Sequence, residues 1–222
     1  MAKAPRPGVT KTRLCPPLRP DQAAQLASAF LLDTLATANM AGVRSRLVCR
    51  NISEQQALHQ LVGPGMHVSV QSGEGLGDAL EGAFRDGLAD GAKAVAVLGA
   101  DSPTLPVLVV REAFVALACG FDVVLGPAED GGYYLLAGRA VYPWLFREMS
   151  WSTDGVASET LRRCRTLGLR THVLPTWYDV DNATSLDILR TDLRRMPTGT
   201  AAHTRAVLHA LGNSILPLGS AA

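Results

Sequence analysis

No stretch of this sequence is apolar for anything like the roughly 20 residues that a bilayer-crossing helix needs, so no helical membrane span is expected. The cysteines are few and unpaired in pattern. Cys15, Cys49, Cys119 and Cys164 lie far apart and form no Cys-x-x-Cys motif. That spacing argues against a zinc site or a disulfide framework and suits a reducing compartment. Charge of one sign is also missing: 21 Lys and Arg stand against 20 Asp and Glu, leaving +1. Such a balance gives no electrostatic footprint for nucleic acid or for an anionic membrane, and neither is expected as a partner. Any phosphate recognition must come from local charge. The opening residues, "MAKAPRPGVTKTRL", are basic but carry no apolar core of a secretory signal, so the expected location is cytoplasmic. Internal repeats and low-complexity tracts are absent.

The chain has 222 residues, enough for one domain or one domain with a tail, and a 47% apolar fraction can build a sizeable core. Short apolar runs at 45–50, 67–70, 94–100, 122–126 and 133–138 read as buried strands. Between and after them, 21–38, 53–62, 76–89, 106–118, 154–167 and 184–196 carry helical spacing, and 171–181 reads as an extended segment. Asp21 is the expected N-cap of the first helix, and Ser53 with Gln56 resembles a capping box for the second. Strand–helix alternation implies a mainly parallel sheet with helices on its faces and the loops after the strands along one edge. The domain is expected over 1–197, with 198–222 as a tail holding a short helix near 201–211.

Ligands of open α/β sheets bind beyond the carboxyl ends of the strands, so polar residues just after each apolar run are the candidates. In "LGADSPTLP" a strand runs into Asp101, and Pro103 biases Ser102 toward extended geometry. Asp101 either ligates a hard cation such as Mg²⁺ or Mn²⁺ or caps the helix that starts near 106. In "GPAEDGGYYLL", Glu129 and Asp130 offer a general base or a sugar-hydroxyl acceptor, while Asp-Gly is equally the signal of a solvated hairpin turn. In "YDVDNATSLDIL", strand alternation points Asp179 and Asp181 to one side, and either Asp181 or Asn182 caps the helix that follows. Lys3, Arg6, Lys11 and Arg13, interleaved with prolines and Gly8, form a stiff basic loop suited to phosphate oxygens, though the spacing of a P-loop is missing. Gln71 can pair with a base edge, and Gly73, Gly75 and Gly77 let a flat base approach the backbone; a flexible strand–helix turn is the plainer reading. The five histidines are scattered, and no nucleophile elbow is present. Trp151 and Trp177 flank candidate loops.

Taken together, "KAPRPGVTKTRL", "LGADSPTLP", "GPAEDGGYYLLAG", "WST" and "DVDNATSLDIL" resemble the DUF2064 family, glycosyltransferase-like proteins of the GT-A, nucleotide-diphospho-sugar transferase superfamily. The resemblance covers nearly the whole chain to about residue 195. It implies a Rossmann-like three-layer α/β/α fold with a mainly parallel sheet, holding a nucleotide and a divalent ion. It also implies roles: Lys3, Lys11 and Arg13 on phosphates, Gln71 and Gly77 on the base, Asp101 and Asp181 on Mg²⁺ or Mn²⁺, and Glu129 or Asp130 on the sugar or acceptor. Members of the family begin with an apolar strand before the "KAP" motif, whereas only Met1 and Ala2 precede Lys3 here, so either the natural start is expected upstream or the basic loop is expected to be poorly held. The expected activity is metal-dependent transfer of a sugar from a nucleotide sugar to a small acceptor. Nucleotidyl transfer with pyrophosphate release is the alternative, followed by a non-catalytic nucleotide-binding domain. A homodimer is compatible with the sequence and not required by it.

Overall fold

The buried runs become strands because helices cover them from both sides. In the computed structural model, which describes residues 1–212, seven α-helices and six strands alternate along the chain. The strands are β1 (Arg46–Cys49), β2 (His67–Val70), β3 (Val95–Leu98), β4 (Val123–Pro127), β5 (Tyr133–Gly138) and β6 (Thr171–Val173). The helices are α1 (Pro20–Met40), α2 (Ile52–Val62), α3 (Leu76–Ala89), α4 (Val107–Ala118), α5 (Val156–Thr166), α6 (Ala183–Arg195) and α7 (Ala202–Ala210). Every expected strand and helix is present, with boundaries moved by a residue or two.

Hydrogen bonding divides the strands into a parallel pair, β1–β2, and a four-stranded sheet in the order β3-β5-β4-β6. Strand β5 is antiparallel to both neighbours, and β6 is parallel to β4. One reversed strand in an otherwise co-directional set gives the mainly parallel sheet expected. In β4, Val123 and Leu125 face α3 and α5, while Val124 faces α4 on the other side. Both faces are therefore apolar, as a sheet covered by helices on each side requires. The result is a three-layer α/β/α sandwich.

Helix starts differ from expectation in two places. Pro20 occupies the first position of α1, where its missing N–H does no harm, and Asp21 pairs with Arg19 instead of capping. For α2 the cap is Asn51, whose side chain accepts the Glu54 N–H at 3.0 Å, while Glu54 accepts the Arg50 N–H in return. Ser53 and Gln56 lie one step inside the helix, and the asparagine just ahead of Ile52 takes the capping role.

The helix expected in the tail is bound into the domain. Leu208 of α7 is buried with Phe30 of α1 and Leu186, Leu189 and Leu193 of α6. Asp33 of α1 is buried and accepts the backbone N–H groups of His203 and Thr204 at 3.0 and 2.8 Å, so it satisfies the first turn of α7. The rest of the expected tail, 213–222, lies outside the described residues.

Candidate functional site

The strands β3 and β4 and the turn after β5's partner deliver the acidic loops to one edge, and a strap drawn from 174–181 stitches them together. Leu174 donates its N–H to the Leu125 carbonyl at 2.9 Å, Trp177 donates to Pro127 at 3.1 Å, and Val180 donates to Asp101 at 2.9 Å. Glu129 donates back to the Trp177 carbonyl at 3.0 Å. The extended segment read at 171–181 is thus a strand only at its start; the remainder crosses the carboxyl ends of β4 and β3. That crossing brings Asp179 and Asp181 beside Asp101 and Ser102.

At this junction the Lys11 Nζ lies 2.7 Å from Asp101 Oδ1 and 2.6 Å from Asp181 Oδ1. The lysine side chain is 7% exposed, against 47% and 37% for the two carboxylates. Lys11 adopts a left-handed backbone conformation, φ 54°, as it enters a short 3₁₀ turn over Thr12–Leu14. Leu14, the end of that turn, is buried in the core with Leu26 and Phe30, which holds the basic loop against the domain. The structure therefore brings Lys11, Asp101 and Asp181 together, across 170 residues of chain in the widest case.

The open alternatives around these residues close on geometry. Helix α4 begins after Pro106 with no side-chain cap, so Asp101 does not cap it. Asn182 caps α6 by accepting the Ser185 N–H at 3.0 Å, which leaves the Asp181 carboxylate for Lys11. Asp179 turns instead to the Ser102 hydroxyl, which donates to its Oδ1. The Asp179 carboxyl is pushed up to about 6, chiefly by burial; the Ser102 hydrogen bond opposes the rise and the charges of Asp101, Asp130 and Asp181 add to it. Asp130 therefore belongs to the same electrostatic cluster.

Glu129 and Asp130 occupy the exposed tip of the β4–β5 hairpin, where Asp130 accepts the Gly132 N–H at 2.9 Å. The Asp-Gly turn expected there is present. Gly131 is required there: φ is +87°, and a Cβ would stand 2.0 Å from the Asp154 carbonyl oxygen. The Ala157 N–H donates to the Gly131 carbonyl at 2.9 Å, which pins the tip to the start of α5.

The remaining candidates are less tightly gathered. Lys3 and Arg13 are exposed and have no carboxylate partner among the described residues. Gln71 follows β2 and donates from its side chain to the Gly73 carbonyl at 3.2 Å. Gly77 is buried in the first turn of α3, and a Cβ there would stand 2.4 Å from the Phe146 carbonyl and 3.0 Å from the Trp151 indole nitrogen. Its missing side chain is taken up by packing against the 146–151 loop.

Several neighbours carry no sequence signal strong enough to single them out. Tyr178 accepts the Thr104 hydroxyl at 3.2 Å and stacks on Trp177 with ring centroids 6.0 Å apart. The Trp177 indole N–H and the Tyr133 hydroxyl are buried without a hydrogen-bond partner among the described residues. Buried unpaired polar atoms are uncommon, and these two flank the Glu129–Asp130 loop. They could have been found from sequence only as aromatics adjoining the acidic loops.

The donor set suits a hard divalent cation in one respect: two carboxylates already converge on a single positive charge. Among the described residues no three His, Cys, Asp or Glu side chains group closely enough to hold a metal. Magnesium commonly takes one or two carboxylates and completes its shell with phosphate oxygens and water, so Asp101 and Asp181 fit that mode of binding. No helix among the described residues is long and apolar enough to cross a membrane.

The layered sheet, its strand-end acids and its basic loop define a protein of the nucleotide-diphospho-sugar transferase fold class. The chain belongs to the family described as "Uncharacterized protein conserved in bacteria (DUF2064)", whose model matches residues 32–153. A solved structure from Desulfovibrio desulfuricans G20, provisionally named a nucleotide-diphospho-sugar transferase, superposes with a TM-score of 0.86 at 28% identity, over 96% of this chain and 94% of that one. CMP:2-keto-3-deoxy-manno-octonic acid synthetase complexed with CTP shares the fold at TM-score 0.52 and 12% identity, over 75% of this chain and 88% of its own. A cytidylyltransferase from Leptospira borgpetersenii serovar Hardjo-bovis (strain JB197) does so at 0.53 and 8%, over 88% and 87%. No curated protein matches the chain.

Proposed function

We propose that this protein is a transferase acting on a nucleotide-linked substrate, and that it moves a sugar from a nucleotide sugar to a small acceptor with the help of Mg²⁺ or Mn²⁺. The observation that carries the reading is the Asp101–Lys11–Asp181 contact, in which two strand-end carboxylates already enclose one cationic position. Asp101 and Asp181 would hold the ion, which supplies charge neutralisation for a departing diphosphate. Lys11, displaced from the carboxylates, would turn to phosphate oxygens, joined by the exposed Lys3 and Arg13. Gln71 and the turn that leads into Gly77 at the start of α3 would face the base. Asp130, or Glu129 beside it, would accept the proton of the acceptor hydroxyl. The acceptor oxygen then bonds to the anomeric carbon as the bond from that carbon to the diphosphate breaks.

The likeness in fold to a CMP:2-keto-3-deoxy-manno-octonic acid synthetase and to a cytidylyltransferase favours one second reading, nucleotidyl transfer from a nucleoside triphosphate to a phosphorylated acceptor. The exposed cations of the N-terminal loop suit a triphosphate equally well. A protein that binds nucleotide without turnover is the remaining case.

The test is a thermal-shift panel of nucleotides and nucleotide sugars, with and without Mg²⁺ or Mn²⁺, on the native chain and on Asp101→Asn. A nucleotide sugar should raise the native melting temperature only with metal, and a ligand at 100 times its Kd adds about 2.7 kcal/mol of apparent stability. Asp101→Asn should lose that gain while unfolding normally by itself. An equal gain in the variant removes Asp101 from the site. Pyrophosphate release in a turnover screen would move the assignment to nucleotidyl transfer.

A further inference from the structure

Tyr133 is the first residue of β5 and follows directly on the Asp130-Gly131-Gly132 turn. The Gly99 N–H donates to the Tyr134 carbonyl at 3.0 Å, which lays this end of β5 alongside the strand end that carries Asp101. The Tyr133 ring turns to the α3 side of the sheet and packs on the apolar cluster of Leu80, Leu125 and Phe146. Its hydroxyl is buried and has no hydrogen-bond partner among the described residues. The next residue differs. Tyr134 lies on the other face and donates its hydroxyl to the Pro175 carbonyl at 2.9 Å. Two adjacent phenols are thus packed on opposite faces of one strand, and among the described residues only the second has a partner.

Trp151 meets Tyr133 edge to face, with ring centroids 6.5 Å apart and planes at 80°. The indole is half-buried, and its nitrogen lies against Gly77 in the first turn of α3. Two non-glycine residues in left-handed backbone bracket it, Glu148 at φ 51° and Ser152 at φ 64°. Beyond them the segment is fixed at both ends. Arg163 donates to the carbonyls of Trp144, Arg147 and Glu148 on one side, and Asp154 packs against Gly131 on the other. The short span 149–153 therefore carries Trp151 between two anchors, over the unpartnered hydroxyl of Tyr133.

We propose that Tyr133 and Trp151 form the sugar subsite of this centre, the Tyr133 hydroxyl donating to a hydroxyl oxygen of the sugar and Trp151 packing on the ring's C–H face. The inference rests on the nucleotide-sugar reading above and deepens it. A buried polar group without a partner is destabilising, and phenylalanine would fill the same apolar space without that cost, so the hydroxyl is held for a partner from outside the chain. Burial also raises its pKa above the ordinary tyrosine value, which keeps it a donor at neutral pH. A phosphate calls for cations, and those stand on the N-terminal loop. A sugar ring instead matches a neutral donor beside an aromatic surface, with Asp130 three residues away to address the acceptor. The hydroxyl is closed to water in the ligand-free chain, so the sugar reaches it as Trp151 shifts on the 149–153 span.

The native protein, Tyr133→Phe and, as a control, Tyr134→Phe test this. Without ligand, Tyr133→Phe should melt no lower than the native protein, whereas Tyr134→Phe, which loses its bond to Pro175, should melt lower. Calorimetry with Mg²⁺ then compares UDP-glucose and GDP-mannose with UDP and GDP. Tyr133→Phe should weaken the tighter-binding nucleotide sugar about five- to tenfold and its parent nucleotide less than about twofold, while Tyr134→Phe changes neither. That nucleotide sugar should also shift tryptophan emission in the native protein and not in Trp151→Phe. A lower melting temperature for Tyr133→Phe overturns the proposal, because the hydroxyl is then bonded within the fold through water. Equal affinity of Tyr133→Phe for the nucleotide sugar overturns it as well and leaves the nucleotide-sugar reading standing. Should no nucleotide or nucleotide sugar bind, that reading falls and the subsite is judged on free glucose and mannose by saturation-transfer NMR. Transfer from the native protein that Tyr133→Phe loses supports the subsite; no transfer ends it.

Discussion

Lys11 is the residue on which the site turns, because a single ammonium holds two carboxylates that would otherwise repel each other. Both carboxylates are well exposed, so water can solvate them if the lysine is removed. Lys11→Met should therefore change unfolding free energy by no more than about 1 kcal/mol. Its effect on ligands should be larger and of two signs. Mg²⁺ or Mn²⁺ alone should bind several-fold more tightly by calorimetry, since no tethered cation competes for Asp101 and Asp181. Nucleotide diphosphate should bind more weakly, since a phosphate donor is lost. Unchanged affinity for both would show that Lys11 is only a brace. The carboxylates themselves were readable from sequence as strand-end acids. Their pairing with Lys11 was not, because nothing in local spacing connects residue 11 to residue 181. The division of labour between neighbours also needed the structure: Asn182 caps, Asp181 is free for Lys11, and Asp179 is buried on Ser102.

At the scale of elements, two clamps hold helices by buried or bridging charge. Asp33 gathers donors from the first turn of α7, including the Thr204 hydroxyl at 2.6 Å and His203 Nδ1 at 2.9 Å. Asp33→Ala would leave those donors unsatisfied in a buried contact, and it should destabilise the domain by about 2–4 kcal/mol in urea unfolding. Loss of exchange protection should be greatest in α7. The second clamp is Glu159, which pairs with Arg162 and Arg163 at 2.7 Å each. Arg163 in turn donates to the carbonyls of Trp144, Arg147 and Glu148, so it fastens the 144–148 loop to α5. Hydrogen bonds from Arg162 and then Arg163 hold the Glu159 carboxyl down to about 2. A depressed carboxylate stabilises the fold above its ordinary pKa of 4.5 and loses that contribution as pH falls toward 2. Glu159→Gln should therefore unfold more readily at neutral pH and show a shallower fall in melting temperature between pH 4.5 and 2. An identical acid limb in both proteins would remove the clamp.

For the whole molecule, the consequence of a divided sheet is uneven local stability. Val124, Leu125, Leu135 and Leu136 of β4 and β5 are fully buried and paired on both edges, while β1 and β2 form a pair with an open side. Amides at 46–49 and 67–70 should exchange by a lower-energy opening than those at 123–127 and 133–138, which should report global unfolding. Comparable protection in both groups would show that the two parts open together.

Strands, helices and their order were legible because apolar runs and helical spacing are local properties. Even the reversed strand β5 announces itself by the Asp130-Gly131 turn before it. The candidate acids were legible for a related reason: chain direction puts strand-end residues on one edge wherever crossovers are right-handed. The strap over 174–181, the burial of Asp179, the packing role of Gly77 and the orphaned polar atoms of Trp177 and Tyr133 were not. Each depends on contacts between segments far apart in the chain, and local patterning holds no record of which loop meets which. The sequence by itself determined the layered α/β scaffold and the kinds of charge at its edge. Only the tertiary structure decided that Lys11 sits between Asp101 and Asp181, because that contact exists only when the first and last thirds of the chain close over the same strand ends.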